Sequence, residues 1–252
     1  MIFSEYANEI VMGAKFLAAG LCMGFGAIGA GLGTFRSATS AVLGMARQPV
    51  QDVLILRTML ITQAVTESAS IFALVVACLL LFVPLPYLVT TENFWFMAAG
   101  LLSCGLAMGL GAIGGGIGMG LTGSKAVEGI SRNPSAQGDV QFVHLLGSAV
   151  AGNPAVFGLV VALLLLLSID YSVYPGLPKL MALLGSGLSI GLGAIGSGIG
   201  CGLPAASSCA GTAKKPTLRF TLVRTMLIGQ AVAQSVCVFA LVVALLLLYT
   251  VN

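Results

Sequence analysis

One carboxylate in this chain occupies a position where it could carry an ion through a membrane. Glu67 lies in the apolar stretch QAVTESASIF, and two similar stretches later in the chain have Gly152 and Gln234 at the same place. An ionised carboxylate is costly in hydrocarbon, so an acid within an apolar span usually has a function. Glycine has no titratable group, and the amide of glutamine forms hydrogen bonds but carries no proton. Glu67 is therefore the candidate ion carrier of the chain.

The composition indicates an integral membrane protein. Of the 252 residues, 58% are hydrophobic and 8% are charged, whereas soluble domains have about 25% charged residues. Runs such as SIFALVVACLLLF extend backward into more apolar sequence and are long enough for membrane-spanning helices. The net charge of +3 does not indicate nucleic-acid binding, because the basic residues fall in short loops rather than in one patch.

Two further features of the composition exclude simple alternatives. The first ten residues contain two acids and no base, so no cleaved signal peptide is predicted and the first helix is expected to persist. The six cysteines are scattered without a C-x-x-C pair, so we expect small apolar side chains rather than metal ligands or disulfides. No metal site is predicted from these residues, and Glu67 is the one place where Na⁺ could bind.

The chain repeats one unit three times. GFGAIGAGLG (24–33), GLGAIGGGIG (109–118) and GLGAIGSGIG (191–200) recur at offsets of 85 and 82 residues, and the same offsets separate the prolines that follow them. Each unit has a glycine-rich helix, a short polar turn and a second helix rich in Leu, Val and Ala. The sequence therefore predicts an all-α membrane protein of six transmembrane helices, arranged as three tandem hairpins.

The predicted boundaries follow from the repeat. The expected helices are 10–46, 52–83, 95–131, 139–168, 178–211 and 217–249. The expected hairpins are 1–86 with Glu67, 87–172 with Gly152, and 173–252 with Gln234. Pro154, beside Gly152, supplies no N–H and is expected to interrupt the hydrogen bonds of its helix locally.

The glycines within helices need a packing reason, since each costs about 0.5–1 kcal/mol relative to alanine. Gly29 and Gly33 form a GxxxG pair, which in membranes allows close approach of helix backbones. The first glycines also match GxGxxG, but a dinucleotide site needs a preceding strand and an acidic residue about 20 positions on. Neither is evident, so close helix packing is the better interpretation.

The basic residues predict the orientation in the membrane. Nine Lys and Arg lie on the side of the turns within hairpins, and two, Lys15 and Lys179, lie on the other side. Cytoplasmic segments carry an excess of these residues. The turns are therefore expected in the cytoplasm and both termini on the opposite side.

The glycine helix, the turn ARQP (46–49), the segment RTML (57–60) and QAVTES (63–68) together resemble one family. The chain is similar to the rotor-ring proteolipid, or c subunit, of rotary F-type, V-type and A-type ATP synthases and ATPases. The third unit repeats the likeness in RTMLIGQAVAQS (224–235), so the resemblance covers nearly the whole chain. Three fused hairpins differ from the single hairpin of the bacterial synthase type.

The resemblance implies a ring with glycine helices on its inner wall and the carboxylate helix on its outer wall. Its partners would be copies of itself, the a subunit of the stator, the central stalk proteins and membrane lipid, with no nucleic acid. The ring would hold this chain alone or together with single-hairpin proteolipids. The turns would contact the central stalk through Arg47, Gln48, Pro49, Arg132, Asn133, Pro134, Lys215 and Pro216.

The resemblance also implies a transport chemistry without a cofactor. Glu67 would cross the lipid as a neutral acid and release its proton beside an arginine of the stator, which this chain lacks. Sodium-binding members use an inner-helix glutamine, a carbonyl two residues before the acid, the next Ser or Thr, and a Tyr one turn later. Those places hold Thr34, Val65, Ser68 and Phe72, and Gln63 or Gln230 of a neighbouring hairpin could add an oxygen. Hard cations need several oxygens at once, so H⁺ is favoured over Na⁺.

The resemblance implies a non-catalytic component of a complex that makes or hydrolyses ATP. In agreement, the chain contains no GxxxxGK[ST] motif for ATP. The alternative is a passive oligomeric pore or scaffold of glycine-rich hairpins, although a pore would need a polar lumen.

Arg36 is either a side chain that reaches the cytoplasmic interface or an ion-pair partner of Glu67. His144 is expected to be a core or interfacial histidine rather than a proton relay.

Overall fold

The computed structural model describes residues 2–84, 89, 93–171 and 176–251, with the side chains of residues 2–5 and 251 excepted. Its helices are α1 (Ile2–Arg47), α2 (Asp52–Phe82), α3 (Phe94–Arg132), α4 (Gln137–Leu167), α5 (Leu177–Lys214) and α6 (Arg219–Val251). All six are long and apolar enough to cross a membrane. Within these ranges there is no strand. The predicted fold class is thus confirmed.

The helix ends differ from the predicted ones by a few residues in most cases. Helix α1 begins eight residues earlier than expected, because the polar N-terminal segment continues the same helix. Helix α4 is continuous through Pro154, so the expected local interruption does not break it. The proline removes a single backbone donor, which a long helix packed on its neighbours tolerates.

The three turns within the hairpins have the same backbone geometry. A short 3₁₀ segment begins at Pro49, Pro134 and Pro216. The residue before each proline is pushed out of the helical region, with φ between −139° and −136° and ψ between 76° and 84°. Each glycine helix therefore ends two residues before its proline, and the second helix begins three residues after it.

The helices form two layers. Helices α1, α3 and α5 lie side by side with α3 in the middle, and each hairpin places its second helix against its first. Helix α2 also contacts α3, and α4 also contacts α5, so the second layer lies over the grooves of the first. Helix α3 is the most buried of the six and α6 the least. The two ends of the row are open.

Glycines set the spacing of the first layer. A Cβ atom on Gly29 would lie 2.5 Å from the carbonyl oxygen of Ala112 in α3, and one on Gly33 would meet the carbonyl of Gly116. The next junction repeats this, because a Cβ on Gly118 would meet the carbonyl of Gly198 in α5. The predicted close approach of backbones is therefore confirmed at both junctions.

We predict that Gly118→Val destabilises the chain, because the added atoms would collide with the backbone of Gly198. Overpacking of this kind costs about 1–3 kcal/mol. The measurement is the free energy of unfolding of the detergent-solubilised chain. Gly13→Val is the matched control, since a Cβ on Gly13 has no atom within 4 Å. Equal destabilisation by both variants would mean that helix propensity, not the junction, is responsible.

Candidate ion-binding site

Glu67 lies halfway along α2 and on its exposed side. It is the sixteenth of the 31 residues of the helix, and its side chain is exposed. Across the part of the chain that the structure describes, no ion pair is recorded for its carboxylate. The one carboxylate in the middle of a described span thus lies on the surface of the second layer.

A stripe of threonines fixes the rotation of α2. Thr58, Thr62 and Thr66 are buried, and each hydroxyl donates to the carbonyl four residues earlier, at 2.8–3.0 Å. The methyl groups of Thr66 and Thr62 lie against the first layer, beside Gly33 and Gly123. Because adjacent residues are about 100° apart on a helix, burial of Thr66 turns Glu67 away from the first layer.

The predicted ligands of the Glu67 site lie on α1 and α2 of the first hairpin. Ser68, Val65, Thr34 and Gln63 are all half-buried. The hydroxyl of Ser68 donates to the carbonyl of Val65 at 2.7 Å, and the hydroxyl of Thr34 donates to Gly31 at 3.2 Å. In the described ranges no cluster of His, Cys, Asp or Glu suits a metal ion.

Gln230 has a structural role that sequence reasoning did not assign. Its side chain is fully buried between α4 and α5, and its Nε2 donates to the carbonyls of Gly147 at 2.9 Å and Cys201 at 3.0 Å. It therefore ties the third hairpin to the second. The threefold repeat of the sequence was the one indication of this residue's importance, because Gln63 and Gln230 occupy equivalent positions.

His144 is a satisfied core histidine, as predicted. It is fully buried, and its Nε2 and Nδ1 lie 3.2 Å from the Thr62 hydroxyl and 3.1 Å from the Ser148 hydroxyl. Thr62 already donates its hydrogen to Thr58, so it accepts from Nε2–H, and Nδ1 accepts from Ser148. The imidazole group of His144 therefore links the first hairpin to the second.

Arg36 makes no ion pair with Glu67 among the residues that the structure describes. Its side chain is half-buried on α1, on the turn side of the mid-span level. This arrangement favours a side chain that reaches the cytoplasmic interface over an ion pair with Glu67.

The three turns lie at one end of the bundle, where the basic residues gather. Arg47, Pro49, Arg132 and Lys215 are exposed, whereas Gln48, Asn133, Pro134 and Pro216 are half-buried. The Nδ2 of Asn133 donates to the carbonyl of Ala213 at 2.9 Å, so part of this surface is used between hairpins. Glu128 pairs with Lys125 and Arg132 in the same region.

The same chain matches one family profile three times. The profile of the ATP synthase C subunit aligns with residues 17–80, 102–165 and 184–247, one match within each hairpin. The chain belongs to the ATP synthase C-subunit family. It is a multi-pass integral membrane protein with three tandem family units, and the resemblance seen in the sequence is confirmed.

Three relatives each match 75 residues of the chain, about the length of one hairpin. The chain is 48% identical over 75 residues to the chloroplastic ATP synthase c subunit of Emiliania huxleyi, which covers 30% of this chain and 92% of the relative. It is also 48% identical over 75 residues to the ATP synthase c subunit of Prochlorococcus marinus strain AS9601, covering 30% of this chain and 93% of that protein. A third example, the chloroplastic c subunit of Cyanidioschyzon merolae, is 47% identical over 75 residues, covering 30% of this chain and 93% of the relative.

We predict that His144→Met leaves the ion transport of this C-subunit family member within about twofold of the wild type, because a satisfied core histidine takes no part in transport. The equivalent residues Met59 and Met226 show that methionine fits this position in the other hairpins. The measurement is ATP-driven acidification of vesicles that contain the reconstituted complex. Ser148→Ala, which removes the Nδ1 partner, is the control and should behave alike. Loss of transport in His144→Met with an intact ring would assign the histidine to the proton path.

Proposed function

We propose that this C-subunit family member is the ion-carrying rotor component of a rotary ATP synthase or ATPase, with Glu67 as its carrier. The observation that supports this proposal is the position of Glu67 halfway along a membrane-spanning helix. The other acids in the described ranges lie in the first or last eight residues of a helix or beyond its end. They are Glu5, Glu9, Asp52, Glu128, Asp139 and Asp170.

A carboxyl group in this position suits repeated loading and release. Hydrocarbon favours the neutral acid, and a nearby cation favours the anion. We infer that Glu67 travels through lipid protonated and loses its proton beside a fixed cation on the a subunit of the stator. Arg36 does not supply that cation, since it forms no ion pair with Glu67 in the described part of the chain.

The residues around Glu67 favour H⁺ as the transported ion. A proton needs one carboxyl group, whereas a hard cation needs several oxygen ligands at once. Thr34 stands where the sodium-binding relatives have glutamine, and Phe72, in place of their tyrosine, has no oxygen to offer. This local arrangement supports a carrier of protons rather than a sodium cage.

The second and third hairpins then act as spacers. Gly152 and Gln234 stand where Glu67 stands in the first hairpin, yet the hairpins pack in the same way at both junctions. In a ring made of this chain alone, the number of ions carried per turn would equal the number of chains rather than the number of hairpins. Fewer ions per turn favour work as an ATP-driven pump. The free energy of each ATP is then divided among fewer ions, so each ion can be driven against a steeper gradient.

The basic end of the bundle supports the proposed orientation. Its exposed Arg47, Arg132 and Lys215 fit a cytoplasmic surface that meets the central stalk. A passive pore is less well supported, because the inner helices offer mainly Gly, Ala, Ile and Leu rather than a polar lining.

We predict that Glu67→Gln abolishes coupled ion transport while the ring still assembles. The amide has nearly the size of the carboxyl group but cannot bind and release the transported proton. The measurements are ATP-driven acidification of vesicles and the size of the purified ring. The control is Gln234→Leu, at the equivalent position of the third hairpin, which should keep transport.

Three outcomes would change this proposal. Normal pumping by Glu67→Gln would rule out Glu67 as the carrier. Protection of Glu67 by Na⁺ against a hydrophobic carbodiimide at fixed pH would replace H⁺ by Na⁺. Passive conductance of the purified chain, unaffected by Glu67→Gln, would favour the pore.

We also predict one carbodiimide-reactive carboxyl group per chain in the membrane span. Mass spectrometry of the labelled ring should give one adduct for every three hairpins. Gln234→Glu supplies the comparison, because it should add a second adduct per chain. More than one adduct per wild-type chain would show that another acid shares the role of Glu67.

A further inference from the structure

A cavity of about 290 Å³ lies between the first and second hairpins, at the end of the helices away from the turns. Its volume is at the lower end of the range for small-ligand pockets, about 300–1,000 Å³. The exposed residues Pro84 and Leu167 lie at its mouth, just after α2 and at the end of α4. Its floor is formed by buried side chains, and the uncharged ones are Leu80, Met97, Leu101 and Tyr171.

Lys15 of α1 places a cation at the floor of this cavity. Its side chain is only 7% exposed, and its Nζ donates to the carbonyl of Val83 at 2.9 Å. An ammonium group has three N–H donors, so two remain after that bond. Among the residues that the structure describes, no carboxylate pairs with Lys15. A buried cation in a membrane span is costly without a counter-ion, and such a residue usually marks a site.

The second hairpin shows that a neutral group is sufficient at this end of an outer helix. The position of Lys15 is held by Gly100 in the second hairpin and by Ala182 in the third. A Cβ on Gly100 would collide with the ring of Tyr171, whose hydroxyl donates to the carbonyl of Leu165 at 2.6 Å. The phenol fills the space and satisfies a carbonyl without adding a charge. Capping of α2 therefore does not by itself account for a lysine in the first hairpin.

We propose that this cavity binds a fatty acid from the membrane, with its carboxylate on the ammonium group of Lys15. The carboxylate accepts the two N–H donors that Lys15 does not give to Val83. The alkyl chain follows the apolar wall of the cavity and leaves it between Pro84 and Leu167 into the lipid.

The chemistry of the lining favours a carboxylate over a phospholipid headgroup. One ammonium group matches one negative charge, and the hydroxyl of Tyr171 already donates its hydrogen to Leu165. The additional oxygens and polar groups of a phospholipid head would find apolar side chains here, which is unfavourable. Since lipid is as apolar as the cavity wall, the charge pair rather than the alkyl chain supplies the preference for this site.

The first test is photolabelling of the assembled ring in phosphatidylcholine vesicles. The probe is palmitic acid with a diazirine next to its carboxyl end, and the adducts are located by mass spectrometry. Adducts on Met97 and Leu101 should exceed those on Leu246 and Tyr249, which are exposed at the same end of α6, by about tenfold, the effect of one charged hydrogen bond. Equal labelling of both pairs would mean that the probe only partitions into lipid, and would overturn the site.

The second test removes the charge. Lys15→Met keeps an unbranched side chain without the ammonium group and should lower the adducts on Met97 and Leu101 about tenfold. Lys15→Arg keeps the charge and should retain most of them. The matched control is Lys179→Met, which removes the other lysine on this side of the membrane and should label as the wild type does. Unchanged labelling of Lys15→Met in a ring of normal size would contradict the proposal.

Competition in the wild-type ring tests the same site without any variant. Unlabelled palmitic acid should displace the probe, whereas its methyl ester, which has the same chain and no charge, should not. Equal displacement by both would show that no anion is recognised, and stronger displacement by phosphatidylglycerol would assign Lys15 to a phospholipid headgroup. Either result would overturn the fatty-acid site. Labelling needs no ion transport, so its outcome is independent of the proposed role of Glu67.

Discussion

Contact between helix backbones at glycine is the constraint on which the rest of the structure depends. The carbonyls of Ala112 and Gly198 lie where a side chain would otherwise be, against Gly29 and Gly118. This spacing leaves grooves wide enough for one helix of the second layer over each pair of glycine helices. The position of α2 in its groove, and hence the direction of Glu67, follows from that spacing.

The three hairpins keep their packing although only the first has the acid. The side chain of Glu67 lies away from the first layer, so no packing contact within the chain requires a carboxylate there. Gly152 and Gln234 therefore leave the helices in place, and α4 even accommodates Pro154 without a break. Glu67 and the packing residues of α2 lie on different faces of the helix, so the acid can be replaced in the other hairpins without loss of packing.

Polar side chains within the spans are mostly bonded inside the bundle. The threonines of α2 donate to their own helix, His144 bonds to two hydroxyls, and Lys15 donates to the carbonyl of Val83 at the end of α2. Such bonding is expected where no water reaches the backbone or side chains. Glu67 differs from these residues because its side chain is exposed on the outer side of α2.

The sequence by itself determined the fold class, the threefold repeat and the candidate carrier, because apolar length, glycine spacing and a lone acid are local properties. It also indicated that Gln63 and Gln230 are equivalent. Only the tertiary structure decided that Gln230 ties two hairpins together, that His144 bonds to Thr62, and that burial of Thr66 turns Glu67 outward. Those outcomes depend on the rotation of α2, α4 and α6 about their axes, which is set by glycine contacts in the other layer rather than by the sequence of each helix alone.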